Sequence, residues 1–593
     1  MNRKRQGRSP VDFLKAITRK LVCTRQTFVL SMFGAVALAL CWHAVDLQLN
    51  KRDFLIGEGE DRYEARIQTE AHRGMLTDRN GEPLAISTPV NSVWVNPREL
   101  IKHRDRWPEL GKLVGYTPEY LEATLEPRAE RSFLYLKRQA TPELADAIRA
   151  ARIPGVHLTD EYRRYYPAGE VTANLIGFTN VDDLGQEGVE LSFDTALRGE
   201  NGENRVIRDR LGRVVEHVER IKDVQPGRDL ALSIDRRLQY VAYRELKAAV
   251  DKHSAAGGLM VVLDAETGEL LAMVNQPAYN PNNRSDARHD SFRNRSLTDL
   301  FEPGSTIKPF TVAAGLESGR FKPDTVIDTA GGVFRVGTTT VKDVHDYGPL
   351  TLAGIIKKSS NVGVTKIALA IEEKLFWEVL DHAGFGHTSG VELPGETAGQ
   401  LDGWRNWGKA DHVTLSFGYH TNMTAVQLAR AYGVFASGGL IRPVSVLKQA
   451  QAPEGTRVMS EATANAVRDM MKAVTEKGGT AETAAVPGYT VAGKTGTVKR
   501  ASAKGYNDSG YRSLFAGFLP ASAPKLIAVV VIDDPRGKEY YGGLVAAPVF
   551  SNVMQEAARI FNLTPDRPED ATTVPPRFAA WVSPMQQVAS KNP

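Results

Sequence analysis

The chain has 593 residues, of which 42% are hydrophobic and 24% charged, and its formal net charge is +4. This length and composition predict several globular domains and exclude extensive disorder or collagen-like repetition. Residues 1–26 hold eight basic residues and Asp12 as their only acid, so the rest of the chain is close to neutral. A body of this charge predicts no nucleic-acid partner.

An apolar segment follows the basic residues 1–26, which are predicted to form a cytoplasmic tail. Residues 27–45 contain no Asp, Glu, Lys or Arg, and a helix of that length just spans the hydrocarbon layer of a bilayer. We therefore predict a transmembrane helix at residues 27–47, with the N-terminus in the cytoplasm because Lys and Arg precede it. Two alternatives are a signal peptide cleaved near residues 37–39 and a lipoprotein cleavage box at residues 38–41. The long apolar run and bulky Leu40 favour a retained anchor.

Residues 48–227 are rich in strand and turn patterns, and no cluster of catalytic side chains is visible in them. Asn80-Gly81 predicts a tight hairpin turn. Residues 142–151 predict a short helix, with Thr141 as its N-cap and Pro142 at its first position. This part of the chain is predicted to be a structural or docking module.

Residues 228–563 predict a second domain. The predicted elements are strands at residues 229–234, 258–263, 269–274, 513–519 and 526–532 and helices at residues 236–253 and 548–561. Mostly helical sequence fills the middle, so the pattern predicts an α+β fold in which helices cover one antiparallel sheet. Residues 564–593 are Pro-rich and are predicted to form a disordered tail.

Three short motifs follow one another in this second domain, namely Ser305-Thr306-Ile307-Lys308, Ser359-Ser360-Asn361 and Lys494-Thr495-Gly496-Thr497. Ser305 opens a helical pattern, so the Lys308 amine can reach its hydroxyl one turn away. Lysine can activate a serine only if burial or a nearby cation such as Lys494 lowers its pKa. Pro309 is expected to leave the Ser305 carbonyl without its usual backbone donor. The alternative is that Ser305 caps a helix and Lys308 is solvated.

Other chemistries have less support. Residues 488–495 match the P-loop pattern, but a P-loop needs a strand before its glycines and a helix from its lysine. Here the interior is strand-like, and Gly496 and Thr497 are poor helix formers. The cysteines, Cys23 and Cys41, lie before and inside the apolar segment, so the body offers no disulfide, zinc ribbon or thiol nucleophile. No metal site and no cofactor are predicted.

The ordered motifs resemble those of the penicilloyl-serine transferases, and residues 301–309 resemble the active-site segment of class B penicillin-binding proteins. Residues 73–74, 78–81 and 185–190 resemble the non-catalytic pedestal, a dimerisation-type domain of that class. Within that class, the chain is most similar to the septal members from Gram-negative bacteria in three features: its single anchor, its length and residues 540–543.

This resemblance implies a serine-type D-Ala-D-Ala transpeptidase that forms a Ser305 acyl-enzyme. Lys308 would be the base, Ser359 would relay a proton to the leaving amine, and Asn361 would bind the substrate amide. The last motif would hold the substrate carboxylate through Lys494, Thr495, Gly496 and Thr497, and the Thr497 and Ser305 N–H groups would form the oxyanion hole. Tyr419 resembles a cleft-wall residue, and His420 stands where a glycine is expected.

The resemblance also implies partners and a location. These are peptidoglycan stem peptides, β-lactams, the bacterial inner membrane and a polytopic glycosyltransferase of the FtsW type, with the catalytic domain in the periplasm. No segment matches the deacylating glutamate of class A β-lactamases, so efficient β-lactam hydrolysis is not expected. Two alternatives stay open, an elongation-phase paralogue of the same class and a mainly structural division scaffold.

Overall fold

The computed structural model describes residues 10–54, 64–208, 214–285, 287–502 and 505–573. The chain divides into two compact units. One comprises Met1–Ala71 and Glu200–Gln225, and the other comprises His72–Gly199 and Pro226–Pro593.

The first unit contains the apolar helix and a small sheet. An α-helix at Pro10–Val45 continues as a π-helix at Asp46–Asn50. Its part at Arg25–Asn50 is long and apolar enough to cross a membrane, with a mean hydropathy of 2.0 in its most apolar window and none of that window buried. Strand Gly202–Arg208 pairs antiparallel with Glu64–Thr69 and with Val214–Lys222.

The second unit begins with a sheet built on the long strand Pro83–Val95. This strand pairs antiparallel with Leu76–Thr77, Leu134–Ala140 and Val156–Tyr165. Helices cover the sheet at Pro97–Leu100, Trp107–Val114, Pro118–Leu125 and Pro142–Ala151, and their apolar side chains meet Val93 and Val95 in one core. The hairpin turn at Asn80-Gly81 is confirmed. The helix is also confirmed, because the Thr141 hydroxyl accepts a hydrogen bond from the Leu144 N–H.

A buried ion-pair cluster joins two segments of this region that the resemblance singled out. Glu190 accepts hydrogen bonds from Arg73 Nε (2.8 Å) and from Arg164 Nε (2.7 Å). Arg73 also contacts Asp194 at 2.7 Å. The side chains of Arg73 and Glu190 are fully buried, so each charge depends on its partners for solvation.

A five-stranded antiparallel sheet organises the rest of the second unit. Its strands, in spatial order, are Leu270–Gln276, Gly257–Asp264, Leu526–Asp533, Gly505–Leu519 and Ala492–Ser502. Every residue of Leu270–Gln276 is buried, so both faces of the sheet are covered. Helices Arg236–Lys252 and Ala547–Ile560 pack on each other and on the sheet, and Ala425–Ala436 packs on its central strands.

This arrangement confirms the predicted α+β fold and most of the predicted elements, within a residue or two at most ends. The strand predicted at residues 229–234 is shorter, Leu230–Ala231, because the backbone then bonds to the segment around Val446. Further helices lie at Ala173–Ile176, Gly188–Ser192, Asp194–Arg198, Arg295–Thr298, Lys308–Glu317, Leu352–Lys358, Asn361–Ala370, Glu373–His382, Lys409–Leu415, Glu461–Lys472 and Gly542–Val545. Two-stranded sheets pair Val326–Asp328 with Pro349–Thr351, Val333–Val336 with Thr339–Lys342, and Leu440–Ile441 with Thr456–Arg457.

The start of the predicted tail is ordered. Asp566 accepts hydrogen bonds from the Thr490 N–H at 2.7 Å and the Ser522 hydroxyl at 2.6 Å, and a 3₁₀-helix follows at Pro568–Thr573. Disorder from Thr564 was expected from the proline content, but these bonds attach Asp566 to the domain. Residues 574–593 lie outside the described part of the chain.

Candidate active site

Ser305 lies in a 3₁₀-turn, Gly304–Ile307, that leads directly into the helix Lys308–Glu317. Gly304 has a φ of 52°, and a Cβ there would stand 2.4 Å from Val498 Cγ2. Only glycine therefore allows strand Ala492–Ser502, which carries Val498, to approach the turn this closely. Pro309 sits in the first turn of the helix, where its missing N–H costs nothing. The expected orphan carbonyl is not found, because the Lys308 N–H donates to the Ser305 oxygen.

Lys308 connects the first motif to the second. Its buried Nζ donates hydrogen bonds to the Ser359 carbonyl oxygen (2.5 Å), to Ser359 Oγ (3.1 Å) and to Asn361 Oδ1 (2.7 Å). Among the described residues, no hydrogen bond links Lys308 to the Ser305 hydroxyl, since its three donors are used by the second motif. Ser305 itself is partly exposed.

Ser359 occupies the point between two helices. Helix Leu352–Lys358 ends at Ser359, whose φ is 58°, and helix Asn361–Ala370 begins two residues later with Ser360 as its N-cap. A left-handed backbone costs about 1 kcal/mol or more for a residue other than glycine. That conformation aims the Ser359 carbonyl and hydroxyl oxygens at the same lysine.

Lys494 brings in the third motif from the edge strand Ala492–Ser502. Its buried Nζ donates to Ser359 Oγ (3.0 Å), the Thr495 carbonyl oxygen (3.2 Å) and Thr495 Oγ1 (3.3 Å). A Cβ on Gly496 would lie 3.2 Å from the Pro303 carbonyl oxygen, so this strand runs directly beside the turn that carries Ser305. Thr497 Oγ1 accepts a hydrogen bond from the Gly542 N–H at 3.0 Å. No helix begins at Lys494, which removes the P-loop alternative.

Burial governs the charge of both lysines. It lowers the pKa of Lys308 to about 7, and the Asp343 carboxylate opposes that shift. Burial also lowers the pKa of Lys494 well below its usual value, and the nearby Lys308 ammonium lowers it further. Of the two causes that the sequence left open, burial and a nearby cation, burial is the one that lowers the pKa of Lys308. Lys308 at neutral pH has a substantial unprotonated fraction that can accept a proton.

Asp343 is a site residue that sequence reasoning missed. Its carboxylate accepts hydrogen bonds from the Ser360 hydroxyl and from the N–H groups of Asn361 and Val362. The carboxylate also lies at the N-terminus of helix Asn361–Ala370, where the positive end of the helix dipole stabilises a negative charge. Asp343 lies 17 residues before Ser360 and belongs to no motif, and only the hairpin that ends at Lys342 brings it to the site. The sequence holds no local signal for it.

The Asn361 amide is held on both sides. Its Oδ1 accepts from Lys308, and its Nδ2 donates to the Lys342 carbonyl oxygen at 2.9 Å. Each of these atoms keeps one further hydrogen-bonding position. The side chain is therefore oriented by the protein before any substrate arrives.

The segment with Tyr419 touches the same turn. The Gly304 N–H donates to the Gly418 carbonyl oxygen at 3.0 Å, and the Tyr419 ring packs edge-on to Phe417 with centroids 5.8 Å apart. Burial and the Glu302 carboxylate raise the pKa of Tyr419. His420 has a φ of 67°, so it keeps the backbone conformation that the expected glycine would adopt.

Two family models match the chain. The penicillin-binding protein dimerisation domain matches residues 68–232, and the penicillin binding protein transpeptidase domain matches residues 258–555. Among curated proteins, peptidoglycan D,D-transpeptidase FtsI of Escherichia coli (strain K12) is 43% identical over 541 residues, which cover 90% of this chain and 92% of that protein. Probable peptidoglycan D,D-transpeptidase PbpC of Pseudomonas aeruginosa is 41% identical over 553 residues, 93% of this chain and 98% of that protein.

Solved structures are also similar. The transpeptidase domain of penicillin-binding protein 3 from Burkholderia pseudomallei has 40% identity and a TM-score of 0.53, and covers 57% of this chain and 98% of its own. A peptidoglycan synthetase from Bifidobacterium adolescentis has a TM-score of 0.68 over 87% of this chain and 98% of its own, at 24% identity. The second likeness concerns the fold alone.

Proposed function

The chain belongs to the class B penicillin-binding proteins of the peptidoglycan D,D-transpeptidase type, and from this premise we propose that Ser305 is its acylated nucleophile. Peptidoglycan stem peptides are its substrate, and β-lactams bind to it. The observation that carries the assignment is the convergence of Lys308 Nζ and Lys494 Nζ on Ser359 Oγ, at 3.1 and 3.0 Å, beside the turn that holds Ser305.

In the first half-reaction, Ser305 Oγ attacks the carbonyl carbon of the penultimate D-alanine. Unprotonated Lys308 accepts the hydroxyl proton, and the oxyanion that forms is stabilised by the N–H groups of Ser305 and Thr497. The C–N bond then breaks. Ser359 passes a proton to the leaving D-alanine amine and regains one from Lys308.

In the second half-reaction, the amine of another stem peptide attacks the ester carbon and Ser305 leaves with a proton returned through Lys308. The product is an amide cross-link. Ser305 and Lys308 are then back in their starting protonation states, and no cofactor is needed. Lys494 and the Thr495 hydroxyl are placed to hold the substrate carboxylate, and Asn361 and Tyr419 are placed to contact the peptide.

We propose the following division of the chain, with the anchor at residues 27–47, the pedestal at 48–227 and the catalytic domain at 228–563. The apolar helix supports a single-pass inner-membrane protein, with its N-terminus cytoplasmic and its catalytic domain periplasmic. We also propose a septal role and an FtsW-type glycosyltransferase as a membrane partner, and localisation of a tagged chain to midcell or to the side wall tests the septal role.

Labelling with a fluorescent penicillin tests the nucleophile. The full chain in detergent is expected to become labelled, and Ser305→Ala is expected to remain unlabelled. Ser522→Ala is the matched control, because Ser522 also begins a Ser-x-x-Lys sequence but lies in a turn next to Asp566. Label on the Ser305→Ala chain would reject Ser305 as the nucleophile.

A further inference from the structure

A recess that belongs to none of the three motifs lies where strand Gly257–Asp264 ends and strand Leu526–Asp533 begins. Its volume is about 260 Å³ when the solvent at its open side is included, and two arginines, Arg430 and Arg442, are among its lining residues. Asp264 is the acid that lines it, and its Oδ1 accepts hydrogen bonds from the next turn's backbone. The recess is therefore a mainly cationic feature built into the sheet end.

Arg430 projects from the middle of helix Ala425–Ala436, and neutral groups fix its guanidinium. Its Nε donates to the Arg442 carbonyl oxygen at 2.8 Å, and one terminal nitrogen donates to the Thr388 carbonyl oxygen at 3.2 Å. Burial lowers the pKa of Arg430, and the nearby Glu396 carboxylate opposes that shift. These two bonds orient the fork, and its other terminal nitrogen makes no hydrogen bond with the described residues.

Arg442 follows the short strand Leu440–Ile441 on the other side of the recess. Its Nε donates to the Pro453 carbonyl oxygen at 3.3 Å, while its Nη1 is buried and has no hydrogen-bond partner among the described residues. In the described part of the chain no carboxylate contacts either guanidinium directly, but Glu396 lies near enough to Arg430 to act on its charge. The Arg442 donor is buried without an acceptor, which is costly, and an anion placed there relieves that cost.

We propose that this recess binds a single carboxylate group. A guanidinium fork matches the two oxygens of a carboxylate, and the Arg442 Nη1 donor lacks an acceptor. Asp264 opposes a second negative charge in the same recess, so a monoanion is favoured over phosphate. The carboxylate can belong to a free small acid or to a peptide, and the experiment separates these two sources.

Ligand-observed saturation-transfer NMR tests the proposal on the full chain in detergent, after benzylpenicillin has occupied the catalytic site. The probes are acetate, N-acetyl-L-alanine and N-acetyl-L-alanine amide. Both acids are expected to give a signal and the amide is not. A stronger signal from N-acetyl-L-alanine assigns the site to peptides, whereas equal signals assign it to free small acids. Equal signals from the acid and its amide would overturn the proposal.

The variant Arg442→Gln is expected to weaken carboxylate binding about tenfold, because it removes a charge-assisted donor. Arg457→Gln is the matched control, since Arg457 lies on the paired strand and bonds to the Gly438 carbonyl oxygen without lining the recess. Penicillin labelling of both variants reports that each is folded. Unchanged binding in Arg442→Gln, or displacement of the acids by inorganic phosphate at lower concentrations than acetate, would contradict the carboxylate site.

Discussion

The rate at which a β-lactam acylates this enzyme should rise with pH and level off above pH 8. Lys308 must be unprotonated to accept the Ser305 proton, and its pKa is about 7 instead of its usual 10.5. The unprotonated fraction is then about 9% at pH 6 and about 91% at pH 8. We expect the second-order acylation rate constant to increase about tenfold over this interval and to change little from pH 8 to pH 9.

Stopped-flow acylation by a chromogenic cephalosporin between pH 6 and pH 9 measures this profile. An ordinary lysine with a pKa of 10.5 would give an increase of about a hundredfold from pH 6 to pH 8 and about another tenfold by pH 9. Such continued increase would refute burial as the means by which Lys308 becomes a base. As a control, the final amount of protein labelled by fluorescent penicillin is measured at each pH, because unfolded protein would not be labelled.

The remaining predictions concern the residues around this base and the buried ion pairs. Asp343→Asn should slow acylation about tenfold, because charge-assisted bonds are lost. It should also lower the midpoint of the acylation pH profile, because the carboxylate raises the pKa of Lys308. A higher midpoint would contradict this reasoning. Ser359→Ala should reduce acylation about a hundredfold, since the proton relay is gone, and an unchanged rate constant would exclude the relay. Glu190→Gln should lower the free energy of unfolding by about 3–5 kcal/mol in urea titrations. The control Glu109→Gln, whose partner Arg106 is half-exposed, should lower it by less than about 1 kcal/mol.

Local signals predicted the elements that depend on neighbouring residues. The Asn80-Gly81 turn, the helix capped by Thr141 and the hairpin of the central sheet are formed where the pattern placed them, because turn and cap preferences act within a few residues. The strand Ala492–Ser502 was not among the predicted sheet strands. The residues just before it have a strand-like pattern, but Gly493 and Gly496 interrupt that pattern, and the strand is formed by pairing with Gly505–Leu519.

Features that depend on distant packing could not be predicted. The motifs indicated Ser305 and Lys308, but no periodicity reveals that Lys308 and Lys494 are both fully buried or that they meet at one hydroxyl. Asp343 reaches the site through a separate hairpin, and the left-handed backbone of Ser359 follows from the two helices that meet there. These are consequences of tertiary structure, which overrides local preference.

The most direct measurement mixes the full chain with a peptide ending in D-Ala-D-Ala, quenches the reaction with acid within milliseconds, and maps the acylated peptide by mass spectrometry. The account predicts an ester on Ser305 whose mass lacks one alanine, formed together with an equal amount of free D-alanine. D-Alanine released without any acylated serine, or with the ester on another residue, would contradict it.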